Sequence, residues 1–378
     1  MGEMNGDALV VGAGTAALPA ASPPYDAFVD AAKATPLDLD RLEPYLAVKG
    51  FHLDREHAAR QFAGGLANRN YLLKINDRFV VLRRPPSGDL PPGSHDMARE
   101  HRILSRLSKV LPIAPDSLHL CQDISVIGVP FQLLQYVDGL VIRGSDLSAV
   151  AAMDDVGVRL SRIMIATLSN IHGVDADACG LGDLGRPDGF VGRAVAGWTK
   201  RGAAVFAANA AMLALVGEAG DRLARHRFRG TAPALLHSDF KLDNMILDPK
   251  TLAPRAVVDW DMGTRGDPIF DLAVLLSYWA EPGDPECLVQ LDQLPTATFP
   301  GFWTREQAAQ AYAGIAGRSL DDLPALYALA ILRLAVIFAQ LHNQWVGGAV
   351  KDMRYARFRQ SAEGLLLRAR DLSKGLVQ

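Results

Sequence analysis

Residues 235–249 read LLHSDFKLDNMILDP. Between two apolar runs they gather His237, Asp239, Lys241, Asp243 and Asn244. A solvated loop needs polar residues, but it does not need this order of them. A carboxylate serves as a general base, a lysine offsets phosphate charge, and an amide oxygen beside a carboxylate suits a hard cation. The stretch is therefore either a charged surface turn or a rigid loop that carries a base, a cation and a metal ligand.

A second stretch, AVVDWDMGTRGDPIFDLAVLL at 256–276, favours the loop. Met245, Ile246 and Leu247 read as one strand, DPKTLAP as a turn, and the run ending in Val257 and Val258 as a second strand. The pair forms a hairpin with Asn244 just before it and Asp259 just after it. Both side chains then project from one end of the ribbon. Mg²⁺ takes few protein ligands and completes its shell with water and phosphate, so Asn244 and Asp259 suit it. Asp239, on the loop that leads into Asn244, can point at the same spot as a base.

The elements that must hold this loop alternate in texture along the chain. LDLDRLEPYLAVKG (37–50) spaces its leucines at helical intervals and stops at Gly50. Tyr71 to Ile75 and Phe79 to Leu82 read as strands joined at the NDR turn, after a turn at Gly64–Gly65 and before Pro85 and Pro86. Residues 95–111 read as an amphipathic helix, and 125–139 as two strands around Gly128 and Pro130. Past Gly139 the pattern is helical: 156–175, the nearly all-apolar 327–346, and 361–372. The expected organisation is a flexible leader at 1–35, a small β-rich lobe at 36–138 and a larger helical lobe at 139–378.

Taken in order, His237, Asp239, Lys241, Asn244 and Asp259 match the kinase catalytic loop and the second metal aspartate beyond its hairpin. With Asp-Trp in place of Asp-Phe-Gly, and GDPIFDLA directly after it, the chain resembles the aminoglycoside phosphotransferase-like family. The flavour of HSDFKLDNMILDP and VVDWDMGTRGDP is similar to the kinase-like domains fused to some acyl-CoA dehydrogenases. The resemblance spans about residues 55 to 345. It implies an α+β, bilobal protein-kinase-like fold: a small antiparallel-sheet N-lobe with one main helix, and a larger, mostly helical C-lobe. It also implies phosphoryl transfer from ATP, with Mg²⁺, to a hydroxyl of a small molecule.

Residue by residue, the resemblance makes Asp239 the base and sets Lys241 beside a phosphate, with Asn244 and Asp259 on the metal. Gly64, Gly65 and Asn68 fall on the nucleotide-covering loop. Arg83 stands where the family has a phosphate-binding lysine, with Arg84 the other candidate, and Glu100 is its helix partner. This is a departure, because a guanidinium is a planar fork and an ammonium a point charge. Gln135, Tyr136 and Val137 would offer hinge backbone to adenine. His237 is expected to bond backbone, and Asp271 to order the loop or cap the next helix. The alternative activity is that of a nucleotide-binding pseudokinase or regulatory module in which the change to arginine has removed turnover. A protein kinase is disfavoured, since no Ala-Pro-Glu segment follows Asp259.

The composition fits an ordinary globular protein: 49% of its 378 residues are hydrophobic, 21% are charged, and the net charge is −3. Nothing in this balance asks for nucleic acid or a membrane surface as partner, and no run reaches ~18 consecutive strongly apolar residues. Three scattered cysteines fit a reducing, cytoplasmic setting. Gly12 and Gly14 mimic a dinucleotide-binding turn, but Pro19, Pro23 and Pro24 break the helix it requires. Glu3 and Asp7 sit where a signal peptide carries positive charge. A polycationic acceptor would need a carboxylate-lined cleft, for which Asp261, Glu281, Asp284, Glu286 and Asp292 are the candidates. Arg368, Arg370 and Lys374 near the C-terminus weigh against it, and a less cationic hydroxyl compound is expected.

Overall fold

Asn76 and Asp77 both take left-handed backbone angles, φ 48° and 60°. That pair of angles closes a two-residue hairpin, and Asn and Asp tolerate it better than other side chains do. The turn joins β2 (Arg69–Ile75) to β3 (Arg78–Arg84), with Ile75 opposite Arg78 and Arg69 opposite Arg84. β1 (Arg60–Gln61) lies outside β2, while β5 (Phe131–Gln135) and then β4 (Ser117–Cys121) continue the sheet beyond β3. All four pairings are antiparallel. This is a computed structural model, and it describes residues 28–63, 68–86, 96–291, 293–348 and 353–376.

Strand periodicity splits the sheet into two faces. Tyr71, Leu73, Ile75, Val80, Leu82, Phe131 and Leu133 close on α1 (Leu39–Val48) through its buried Leu42 and Leu46. The alternate position next to Leu82 is Arg83, paired across strands with Gln132. Both belong to the face that meets α2 (Met97–Leu107), as the contact of Gln132 with Glu100 shows. Asp96 caps α2 by accepting the N–H of Arg99. The expected pair of strands over 125–139 is corrected here. Only Phe131–Gln135 is a strand, and its outer partner is the unforeseen Ser117–Cys121. The Asp123 carboxylate accepts the Ser125 N–H and bends the intervening chain into a turn.

Leu140 exchanges two backbone hydrogen bonds with Leu247, each 2.8 Å. Beside it, a Cβ on Gly139 would fall 2.5 Å from Ile246 Cγ2 and 2.6 Å from Leu247 O. Glycine lets the segment that leaves the sheet lie directly on the hairpin formed by β7 (Met245–Leu247) and β8 (Pro254–Val257). A second ribbon pairs β6 (Ala234–Leu236) with β9 (Thr264–Gly266).

Helices surround these ribbons: α3 (Val156–His172), α4 (Phe190–Val205), α5 (Ala210–Arg225), α6 (Pro268–Tyr278), α7 (Glu286–Val289), α8 (Arg305–Ala316), α9 (Leu323–Val346) and α10 (Phe358–Lys374). α9 is apolar on nearly every side and packs against α4, α6 and α10. By length and composition it could cross a membrane, but most of it is enclosed by the other helices. The larger core also takes Ile103, Leu104 and Leu107 of α2, so this helix is bound to both halves of the molecule.

At the start of α3 a Cβ on Gly157 would sit 2.5 Å from Phe302 N and 2.6 Å from both Gly301 C and Pro300 O. Gly157→Ala is therefore expected to cost about 1–3 kcal/mol, because backbone must shift. In α5, Gly217 has nothing within 4 Å of such a Cβ, and Gly217→Ala is expected to add roughly 0.5–1 kcal/mol. Urea unfolding of the two variants should move in opposite directions.

Candidate active site

The β7–β8 register sets Met245 opposite Val257, and the Val258 N–H donates to Asn244 O at 2.9 Å. Asn244 and Asp259 therefore emerge at the same end of the ribbon, as expected. The Asn244 Nδ2 donates to Asp239 O at 2.9 Å, which leaves Oδ1 as the amide's acceptor end. Asp259 has φ 71° and Ser238 has φ 68°. Two non-glycine residues in the left-handed region flank the proposed chemistry, and such strain persists only where the surroundings over-determine it.

For Ser238 the surroundings are explicit. The Asp271 carboxylate, in the first turn of α6, accepts the N–H of His237 at 2.7 Å and of Ser238 at 2.8 Å. The Arg333 Nη2 of α9 donates to Ser238 O at 2.9 Å. The cap of α6 is Asp267, which accepts the Ile269 N–H. Asp271 thus orders the loop, the first of the two roles expected for it. The His237 Nε2 donates to Val258 O at 3.0 Å, so its Nδ1 is the acceptor for the Asp239 N–H at 3.3 Å. His237 bonds backbone on both sides, and its ring packs 4.7 Å from that of Trp260.

Asp239 is held by three groups. The Lys241 Nζ lies 3.1 Å from Oδ2, the Tyr278 hydroxyl donates to Oδ1 at 3.1 Å, and the Arg333 Nη2 is 3.6 Å from Oδ1. Burial alone would push this carboxyl up, but Lys241 and Arg333 outweigh it and hold the pKa below the ordinary value. The group is an anion at neutral pH. Burial likewise disfavours the Lys241 ammonium, and the Asp239 charge more than restores it. Lys241, expected beside a phosphate, has Asp239 as its ion-pair partner.

On the sheet side, the Arg83 Nε lies 2.7 Å from Glu100 Oε2, and its Nη2 pairs with Asp259 Oδ1 and lies 3.8 Å from Asp261 Oδ2. Glu100, fully buried, also accepts the Trp260 N–H at 3.0 Å and the Gln132 amide. Burial raises its pKa despite Arg83. Arg84 turns the other way, to the Tyr71 hydroxyl at 3.3 Å. Of the two arginines, Arg83 therefore meets the helix glutamate. Burial pushes the Asp261 carboxyl up to about 8, with the Asp259 charge adding to it.

Gly64 and Gly65 lie outside the described residues. Asn68 is buried, and its Nδ2 donates to Asp261 Oδ2 at 3.2 Å. This bond ties the residue just before β2 to the segment after Asp259. At the expected hinge, the Gln135 N–H donates to Asp116 O at 2.8 Å, and its side-chain oxygen accepts the Asp116 N–H. Tyr136 stacks against Phe62, with ring centroids 6.4 Å apart.

The candidate carboxylates for a polycationic acceptor are mostly engaged elsewhere. Glu281 and Asp284 are both paired with Arg305. Glu286 is bonded to Gln290 on α7, and Asp261 is buried beside Asn68 and Arg83. Asp292 lies outside the described residues. Sequence reasoning did not anticipate Tyr278 and Arg333. Arg333 had a signal, a lone cation inside the apolar 327–346 run, because a charge is buried only with a partner.

Sheet, helix, hinge and loop together define a kinase-like α+β phosphotransferase fold. A sequence profile of the phosphotransferase enzyme family matches residues 58–309, well over half of the chain, and the chain belongs to that family. Acyl-CoA dehydrogenase family member 10 of Mus musculus is 32% identical over 320 residues, which are 84% of this chain and 29% of that protein. Acyl-CoA dehydrogenase family member 11 of Gallus gallus is 29% identical over 353 residues, 90% of this chain and 44% of that protein. The chain thus spans less than half the length of these curated relatives. A Ralstonia eutropha protein provisionally designated an aminoglycoside phosphotransferase superposes with a TM-score of 0.72 at 23% identity, covering 91% of this chain and all of that one. A thermostable aminoglycoside phosphotransferase mutant in ternary complex with AMP-PNP and hygromycin B gives 0.55 at 15% identity, covering 88% and 99%. At these identities the two structures establish the fold.

Asp271→Asn would set an amide NH₂ against a backbone N–H. The variant is expected to lose about 1–3 kcal/mol, the cost of a buried donor left unsatisfied. An unchanged urea midpoint would show that the loop does not depend on Asp271.

Proposed function

We propose that this chain transfers the γ-phosphoryl group of ATP to a hydroxyl of a small molecule, with Asp239 as the base. The carrying observation is the ionised Asp239, fixed between Lys241 and Tyr278 on the loop that also anchors Asn244. The acceptor hydroxyl donates its hydrogen bond to the Asp239 carboxylate. Its oxygen bonds to the γ-phosphorus as the bond to the leaving ADP oxygen breaks, and its proton passes to Asp239. A carboxylate this acidic takes the proton only as the new bond forms, which suits a loose transition state in which positioning dominates.

Mg²⁺ fits the residues present. Asn244 has its nitrogen tied to Asp239 O and so offers an oxygen, and Asp259 offers a carboxylate that remains 30% exposed. These two would hold the ion, which would offset charge on the nucleotide phosphates. Asp259 would then exchange its Arg83 partner for the metal, freeing one arm of that guanidinium for a phosphate oxygen. Tyr136 and Val137 would offer the hinge to adenine. The retained Asp239, Asn244 and Asp259 favour turnover over a pseudokinase role.

Asp239→Asn is expected to keep MgATP affinity and to slow transfer by about 10²–10⁴-fold, the worth of a positioned base. Single-turnover assays with labelled ATP and a panel of hydroxyl compounds test both this and the activity itself; transfer at the wild-type rate would remove Asp239 from the role. Asp259→Ala is expected to weaken nucleotide binding in Mg²⁺ but not in EDTA. Titration calorimetry in the two buffers reads the difference, and equal losses in both would take Asp259 off the metal.

A further inference from the structure

A cavity of about 300 Å³ opens beside the catalytic loop, with Ser238 and Arg333 in its wall. Arg186, Arg193, Arg201 and Thr264 complete the polar lining, and no carboxylate is among the lining residues. The four guanidiniums are not equivalent. Arg193 is spent on the backbone carbonyls of Arg186 and Asp188, so it shapes the wall. Arg201 lies flat over the Trp198 ring, 3.9 Å from its centroid. Arg333 is only 2% exposed, and its Nη1 is buried without a hydrogen-bond partner among the described residues. A buried donor on a charged group costs free energy until something accepts from it. The Arg201 guanidinium is destabilised, first by burial and then by the Arg333 charge across the cavity. Between them run Phe190, Trp198, Met262 and Phe270, an apolar strip.

Resting on the phosphotransferase reading above, we propose that this cavity is the acceptor site and that the acceptor is a hydroxylated anion. Its carboxylate or phosphate oxygens accept from Arg333 Nη1 and from the Arg201 and Arg186 guanidiniums. Its apolar body lies along Trp198 and Phe190, and its hydroxyl reaches Asp239. The product is the phosphate monoester of that anion, with ADP released and the hydroxyl proton left on Asp239. A polycationic aminoglycoside meets like charge here, so it is a poor acceptor. Arg201 and Arg186 are specificity determinants, whereas Arg333 also positions the base.

Calorimetry without nucleotide tests the pocket directly. The probes are ω-hydroxy acids of graded chain length, the phosphate monoesters of the matching diols, the neutral hydroxy amides, and one aminoglycoside. Anions are expected to bind at least about tenfold more tightly than their amides, the worth of one charge-assisted hydrogen bond. The carboxylate and phosphate arms reveal which group fits. Arg201→Gln and Arg186→Gln are expected to reduce the preference for anions while leaving the Kd for MgATP unchanged. Equal binding of anion and amide, tighter binding of the aminoglycoside, or no binding at millimolar concentrations overturns the proposal. A labelled-ATP assay on the same probes separates the two readings. Transfer to a neutral or cationic alcohol with the highest kcat/KM overturns the anionic acceptor and leaves the phosphotransferase standing. Selective anion binding with no transfer to any probe removes the phosphotransferase reading and keeps the anion site.

Discussion

The site depends on a single buried carboxylate that does no chemistry. Asp271 has no exposed surface, yet it accepts two consecutive backbone N–H groups and lies 3.3 Å from His172 Nε2. Those hydrogen bonds force the turn at Ser238 into its left-handed angle, and the turn aims Asp239. His172 is itself tied to the Tyr312 hydroxyl at 2.6 Å, so α3, α6 and α8 converge on one anion. A loop alone would relax the strain at Ser238. Clamped between helices that share the larger core, it cannot relax without unpacking them.

The same economy governs the second side of the site. Three carboxylates, Glu100, Asp259 and Asp261, crowd one guanidinium, so negative charge is in excess. Burial answers part of the excess by raising the pKa of Glu100 and of Asp261. A divalent cation would answer the rest. In the cavity beside Ser238 the sign reverses: four arginines line the wall and, among the described residues, no carboxylate does. On the reading proposed above, Asp239 would stand between a site for a cation and a site for an anion.

Much of this was legible from residue order because the chemistry is local. Asp239 and Asn244 lie on one loop and Asp259 is one hairpin away, and hairpin register follows from alternation and turn signals. The β2–β3 hairpin was legible for the same reason, with Asn76 and Asp77 as its signature. What escaped depends on distant packing. Tyr278 ends a helix whose buried residues run round every side, so its hydroxyl carried no periodic mark. The four-arginine wall draws on the 186–201 segment, Met262 and α9, and only tertiary structure brings these together. Strand Ser117–Cys121 is short and carries histidine and serine, which hide its alternation. The carboxylates after residue 280 were candidates for the acceptor by proximity in sequence alone, and Arg305 from the next helix claims two of them.

The arginine that departs from the family pattern has a geometric reason. Its Nε engages Glu100 at 2.7 Å while its Nη2 engages Asp259, so one side chain bolts α2 to the segment after β8. Glu100 strengthens the bolt by also accepting the Trp260 N–H. A lysine ammonium, a single point on a flexible stem, could neutralise either carboxylate but would not fix the angle between them. The fork therefore fixes the relation of α2 to the segment after β8 within the protein itself. What the fork gains in rigidity it would give back as competition, since the carboxylate it holds is the one proposed above for the metal ion. On the proposed reading the arginine would make nucleotide binding and metal binding interdependent through one guanidinium, a coupling that would follow from its planar geometry rather than from its charge.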